Sequence, residues 1–71
     1  MLDGLMRQRF NTGDHVSVIG PIAETYPGVI GLVRFITFEG SVYRYIIEFE
    51  DGRTDTLFGF ELRRSAKRSA T

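Results

Sequence analysis

Short runs of alternating apolar and polar residues, separated by turn signals, fill residues 13–62 of this 71-residue chain. The first run, His15-Val16-Ser17-Val18-Ile19, starts directly after the turn Gly13-Asp14. Alternation with a period of two places successive side chains on opposite faces of a β-strand. Because such runs occupy most of so short a chain, the pattern predicts one small β-barrel and leaves room for little else.

The turn signals divide the chain into five strands of an all-β barrel over residues 10–64, flanked by flexible tails at 1–9 and 65–71. The strands are expected at 15–19, 29–37, 42–50 and 53–58, with a short closing strand after the tight turn Gly59–Leu62. Residues 21–27 lack a period and are predicted to form an exposed loop. Asp51-Gly52 predicts a type I′ hairpin turn.

Alternation also predicts which side chains share a face. In the third strand, one face is aromatic and apolar and is expected to point inward: Tyr43, Tyr45, Ile47 and Phe49. In the second strand both faces are rather apolar: Val29, Gly31, Val33 and Phe35 on one, and Ile30, Leu32, Arg34 and Ile36 on the other. A strand with two apolar faces is expected to be covered on both sides, by the core and by a tail, a neighbouring subunit or a partner.

Composition narrows the class of protein. Apolar residues make up 42% of the chain, which is enough for a packed core. There is no cysteine, so neither a disulfide framework nor a thiolate metal site is available. No stretch resembles a signal peptide or a membrane span, so the chain is expected to be soluble and cytoplasmic, with no membrane partner.

The net charge of zero combines an acidic body with basic ends. Residues 10–62 carry three arginines against eight carboxylates, a net charge of −5. The cations outside that range are Arg7, Arg9, Arg63, Arg64, Lys67 and Arg68. The charge distribution therefore predicts an acidic barrel with cationic termini, which disfavours nucleic acid as a partner of the barrel itself.

The order of the motifs resembles that of SH3-like barrels over residues 12–64. The matching segments are Gly13-Asp14-x-Val16-x-Val18-Ile19, Gly28-x-x-Gly31-x-Val33, Tyr45-x-Ile47-x-Phe49 and Phe60-Glu61-Leu62. The first two resemble the KOW motif of ribosomal and transcription-elongation proteins, which implies RNA binding through the intervening loop. That loop is longer here and carries Glu24 where the family has lysines. The whole span is also similar to small ferredoxin-associated SH3-like subunits, which implies docking of other polypeptides.

A third resemblance, to plasmid-borne type II dihydrofolate reductase, implies a tetramer of such barrels around a central pore. That family has a Val-Gln-Ile-Tyr run in its pore strand, whereas this chain reads Asp55-Thr56-Leu57-Phe58. The amide and the phenol are missing, so the comparison implies oligomerisation through strand edges rather than the reductase activity.

No residue pattern predicts catalysis, a metal or a cofactor. The one histidine, His15, and the carboxylates around the third hairpin (Glu48, Glu50, Asp51 and Asp55) are interpreted as structural or solvated groups. Aromatic residues at loops and strand ends are instead candidates for partner binding. The candidate set is Tyr26, Glu24, Phe38, Tyr43 and Phe60, with Tyr26 first because its loop has no core period.

Three functions follow in order of preference. The first is a non-catalytic interaction module that binds a protein or a second copy of itself through residues 21–28 and the exposed side of the second strand. The second is KOW-type nucleic-acid binding with a basic arm of Arg63, Arg64, Lys67 and Arg68. The third is an oligomeric pore enzyme, for which the expected residues are missing.

Overall fold

The computed structural model describes residues 7–27 and 29–65 as five antiparallel strands around one core, so the all-β prediction is confirmed. The strands are β1 (His15–Val18), β2 (Gly31–Glu39), β3 (Val42–Phe49), β4 (Thr54–Phe58) and β5 (Leu62–Arg64). Two short 3₁₀ helices, Pro21–Thr25 and Gly59–Glu61, connect β1 to β2 and β4 to β5.

The five strands form one sheet in the order β4-β3-β2-β1-β5. The 3₁₀ helix Gly59–Glu61 carries the chain from one edge to the other, where β5 pairs with β1 through Val16↔Arg64 and Val18↔Leu62. The predicted tight turn and short closing strand are thereby confirmed. Within the part of the chain that the structure describes, β4 and β5 remain the two edges, so the hydrogen-bonded ladder is not a closed barrel.

The core lies on the inner face of β3, as predicted. Tyr45 and Ile47 are fully buried and Phe49 is nearly so. Each of the other four strands contributes one further buried apolar side chain, and the segment before β1 contributes another: Val16, Val33, Leu57, Leu62 and Phe10. The Phe10 ring meets the Tyr45 ring edge to face, with centroids 5.3 Å apart. These contacts bury the large rings that dominate the stability of so small a core.

Gly31 marks a place where β2 and β3 approach too closely for a side chain. A Cβ built at this position would collide with Cγ2 of Ile47 and touch the ring of Phe49. Its φ is not in the left-handed region, so the glycine is required by packing rather than by backbone conformation.

The type I′ turn predicted at Asp51-Gly52 is found instead at the hairpin between β2 and β3. The turn with two positive φ angles is Gly40-Ser41, at 58° and 64°, as the type I′ conformation of a two-residue hairpin needs. At Asp51-Gly52, only the glycine has a positive φ, and Gly52 N donates to Phe49 O while Phe49 N donates to Arg53 O. The loop therefore has three residues, Glu50, Asp51 and Gly52, and consists of a type I turn followed by a glycine bulge. With Glu50 in the loop, only Gly52 needs a positive φ to close the hairpin.

The segment predicted as an exposed loop is also different. Pro21–Thr25 form a 3₁₀ helix, which proline at its first position favours because no N–H is lost there. Ile22 and, just beyond the helix, Tyr26 pack against the core. The segment therefore covers one end of the sheet instead of projecting into solvent.

The two ends of the described chain are held to the sheet. Arg9 N donates to the Tyr45 hydroxyl at 2.8 Å, and its guanidinium Nη1 donates to Gly59 O at 3.3 Å. Arg63 and Arg64 belong to β5. The predicted flexible tails fall largely outside the described residues, as do Lys67 and Arg68 of the basic arm.

Candidate interaction surface

A β-bulge in β2 decides which side chains reach the solvent-facing side of the sheet. Val33 pairs with Ile47, but Phe35 pairs with the neighbouring Ile46, so Arg34 is an extra residue on β2. Because adjacent residues of β3 face opposite sides, Phe35 lies on the side opposite Val33. Strict alternation predicted Phe35 on the same face as Val33, and this prediction is wrong, because the bulge turns Phe35 to the other side, where it is 60% exposed.

After the bulge, Ile36 takes the inward position and packs against the core. Pairing across β2, β3 and β4 then aligns three rows on the opposite side. They are Leu32–Glu48–Thr54, Phe35–Ile46–Thr56 and Thr37–Arg44–Phe58. We call these nine residues, together with Arg34 of the bulge, the outer face. Its middle row is apolar except for one threonine, and its flanking rows carry the charges.

An aromatic stack borders the outer face at the end of β4. The Arg44 guanidinium lies over the Phe58 ring, 5.4 Å from the centroid. The Phe60 ring stacks on the Phe58 ring, with centroids 5.3 Å apart and an interplanar angle of 11°. Phe60 is nevertheless 52% exposed, so it extends the apolar surface beyond the strand. Arginine and aromatic side chains in contact are characteristic of protein interaction sites.

The outer face carries charges of both signs, namely Arg34, Arg44 and Glu48. Arg34 Nη1 and a Glu48 carboxylate oxygen are 3.3 Å apart, and both side chains are half exposed. Among the described residues, Arg44 has no carboxylate within ion-pair distance and sits four residues before Glu48 on the same strand. Two further glutamates lie at the ends of this surface: Glu39 is the last residue of β2, and Glu50 belongs to the loop between β3 and β4. A surface of this kind suits a protein partner better than a polyanion, which needs several uncompensated cations.

The structure separates the predicted partner-binding residues into three places. Phe60 joins the outer face through Phe58. Phe38 and Tyr43 form a ring pair 4.4 Å apart at the tip of the β2–β3 hairpin, on the inner side of the sheet. Glu24 is exposed on the 3₁₀ helix Pro21–Thr25, and Tyr26 directly follows that helix. The five residues therefore do not form one cleft.

Tyr26, the first of the predicted binding residues, is held by contacts within the chain. Its ring stacks on Phe49 with centroids 4.7 Å apart, and the Arg53 guanidinium lies 4.5 Å from its centroid. Its hydroxyl donates a short hydrogen bond to the Asp55 carboxylate. This bond is the main cause that raises the pKa of the Tyr26 phenol, and burial is the second. Tyr26 therefore fastens the connection between β1 and β2 to the edge strand β4.

Two carboxylates of the hairpin between β3 and β4 each have a separate partner, so they do not converge on one site. Asp51 pairs with Arg53 at 3.0 Å, and hydrogen bonds from Arg53 lower the pKa of that carboxyl. Asp55 is engaged by Tyr26. In the described residues, no group of three or more histidine or carboxylate side chains is arranged to hold a metal ion. No helix in the part of the chain that the structure describes is long and apolar enough to cross a membrane.

His15 lies on β1 opposite Leu32 and lines an open groove of about 430 Å³ beside the outer face. Arg34, Glu48 and Glu50 line the same groove. Apart from the Tyr45 hydroxyl, which lies outside this groove, no polar side chain of the described residues is buried, so the groove lacks the fixed, convergent polar groups that small-molecule sites use.

The basic residues from the two ends of the chain meet around Phe10. The guanidinium carbons of Arg9 and Arg64 lie 5.6 Å and 5.7 Å from the centroid of that ring. Arg64 also pairs with Asp14 at 3.2 Å. Arg63 is exposed and faces away from this cluster, because it neighbours Arg64 in β5 and pairs with Ser17.

Sequence reasoning missed Phe35, Arg44, Ile46 and Phe58 as surface candidates. A possible signal was the pair Phe35-Ile36, in which two large apolar residues of one strand cannot both face the same core. Comparison of the chain with protein-family models, with curated proteins and with solved structures found no match.

Proposed function

We propose that this chain is a non-catalytic SH3-like module that binds a protein through the outer face. The observation that carries the proposal is the exposure of Phe35 at 60% in the middle of a sheet, next to Ile46 and one row from Arg44. The strand order and the 3₁₀ helix between β4 and β5 support the SH3-like assignment.

Burial energy favours a partner on this surface. Covering an exposed phenyl ring contributes about 1.5–3 kcal/mol when burial is complete. The bulge turns Phe35 outward and interrupts the regular pairing of β2 with β3 at one position. Ile36 packs against the core in its place, so the core does not need Phe35. An exposed aromatic side chain that the core does not need is the pattern of an interaction anchor.

The test is capture from a nuclease-treated lysate of the source cells, with the wild type, Phe35→Ser and Phe38→Ser immobilised in parallel. Phe38 is the matched control because it is 54% exposed but lies on the other side of the sheet. The captured protein is then purified and titrated by calorimetry. We expect Phe35→Ser to weaken binding about tenfold or more and Phe38→Ser to leave it nearly unchanged. Equal weakening by both variants, or capture that nuclease abolishes, would contradict the proposal.

One observation favours nucleic-acid binding of the KOW type as a second candidate. The fold brings Arg9 and Arg64 together at Phe10, and Lys67 and Arg68 follow shortly after β5 in the sequence. Such an arm would give affinity that falls steeply with salt and is weakened when residues 66–71, which contain Lys67 and Arg68, are removed. Electrophoretic mobility shifts with single-stranded RNA at two salt concentrations separate this candidate from the first.

A further inference from the structure

The charges of the outer face are arranged so that the surface is complementary to itself. Arg44, Ile46 and Glu48 are successive outward residues of β3, with the apolar residue in the centre and opposite charges at equal distances on either side. Successive outward residues lie ~6.5–7 Å apart along a strand. Inverting the strand end for end therefore exchanges the arginine and the glutamate while leaving the isoleucine in place.

We propose that the occupant of the outer face is a second copy of this chain, packed face to face about a two-fold axis that runs across the strands at Ile46. This inference rests on the proposed function, because it names the partner of the same surface. In this arrangement β3 lies antiparallel over its counterpart, and Arg44 of each copy meets Glu48 of the other. Ile46 and Phe35 meet their own equivalents, as an isologous interface requires.

Charge selects this axis over the alternative. A two-fold axis along the strands would place Arg44 opposite its own equivalent and Glu48 opposite its own equivalent, and like charges placed opposite each other are destabilising. Glu48 can meet a second arginine while it pairs with Arg34, because an ionised carboxylate has about four acceptor positions and this side chain is half exposed. The flanking rows fit as well, since Thr54 then faces Phe58 and Leu32 faces Thr37.

The size of the surface sets the expected affinity. Three strands span ~14 Å across and their three outward rows ~20 Å along the strands, so the face covers ~300 Å², which is small against the ~800 Å² that each partner buries in a standard interface. We therefore expect a reversible dimer with a dissociation constant in the micromolar range. Light scattering and sedimentation should be run from about 10 µM to 1 mM protein.

The decisive experiment uses charge reversal. Arg44→Glu alone and Glu48→Arg alone each create two repulsive contacts per dimer, so each should raise the dissociation constant about tenfold or more. The double variant Arg44→Glu/Glu48→Arg restores both attractive contacts and should dimerise like the wild type. An equimolar mixture of the two single variants should form a heterodimer with the wild-type affinity, although each variant alone associates more weakly. Glu24→Arg, a reversal on an exposed 3₁₀ helix, is the control and should not change the mass.

The outcomes separate this inference from the proposed function. Failure of the double variant and of the mixture to associate, while each variant keeps the wild-type circular dichroism spectrum, would overturn the two-fold arrangement. A wild type that stays monomeric at every concentration would overturn the dimer. If the Phe35-dependent capture of another protein persists in that case, the proposed function stands and the inference alone is refuted.

Discussion

Removing Arg34 should be tolerated, although deleting a residue inside a β-strand usually moves all later side chains to the wrong face. Arg34 is the extra residue of the bulge, between Val33 opposite Ile47 and Phe35 opposite Ile46. Without it, those pairings become consecutive and β2 alternates without interruption. The loss is one half-exposed ion pair with Glu48, which contributes less than about 1 kcal/mol.

Deletion of Glu48 is the matched control, because it removes the other partner of the same ion pair. Glu48 lies between Ile47 and Phe49, whose side chains are 0% and 3% exposed. When the two become neighbours, one of them must leave the core, at a cost of ~3–5 kcal/mol. Total stability at ~0.05–0.15 kcal/mol per residue is about 4–11 kcal/mol for 71 residues, so this deletion should leave the domain close to unfolding.

Urea denaturation at a protein concentration well below the dissociation constant of the dimer, followed by far-ultraviolet circular dichroism, measures both effects without a contribution from dimerisation. The Arg34 deletion should shift the unfolding free energy by less than about 1 kcal/mol, with an unchanged m value. Equal damage from the two deletions would show that β2 is not bulged at Arg34. Tolerance of both would show that the inner face of β3 is not the core.

Two further predictions concern packing and pH. Gly31→Ala should destabilise the domain by about 1–3 kcal/mol, because its methyl group collides with Cγ2 of Ile47. The penalty should shrink in an Ile47→Leu background, which lacks that atom, and thermal melts that show no such coupling would contradict the close approach. Tyr26→Phe should cost about 0.5–1.5 kcal/mol at neutral pH by removing the hydrogen bond to Asp55. That bond raises the pKa of Tyr26 in the folded state, so its contribution is complete below the unfolded pKa of about 10 and is lost as pH rises through the folded value. Urea melts from pH 8 to 11 should therefore show a shallower alkaline loss of stability in Tyr26→Phe, and identical slopes would refute this linkage.

The sequence by itself determined the elements whose signals are local. Alternation in β3 predicted that Tyr45, Ile47 and Phe49 point inward, because a strand with one wet face must sort its side chains with a period of two. The sequence Gly59-Phe60-Glu61-Leu62 likewise predicted a tight turn that leads into a short closing strand, and the structure has both. These local rules established the all-β class and most strand positions.

The tertiary structure decided the features that depend on a partner strand. Whether β2 holds an extra residue at Arg34 depends on its register against β3, and that register moves Phe35 from the face of Val33 to the exposed outer face. Tyr26 belongs to a segment without a period, and its role depends on the path that brings it to Phe49 and Asp55. Both are contacts between residues distant in sequence, so no local pattern encodes them. The candidate surface arises from this non-local pairing, because a one-residue shift in register changes the face of every side chain that follows.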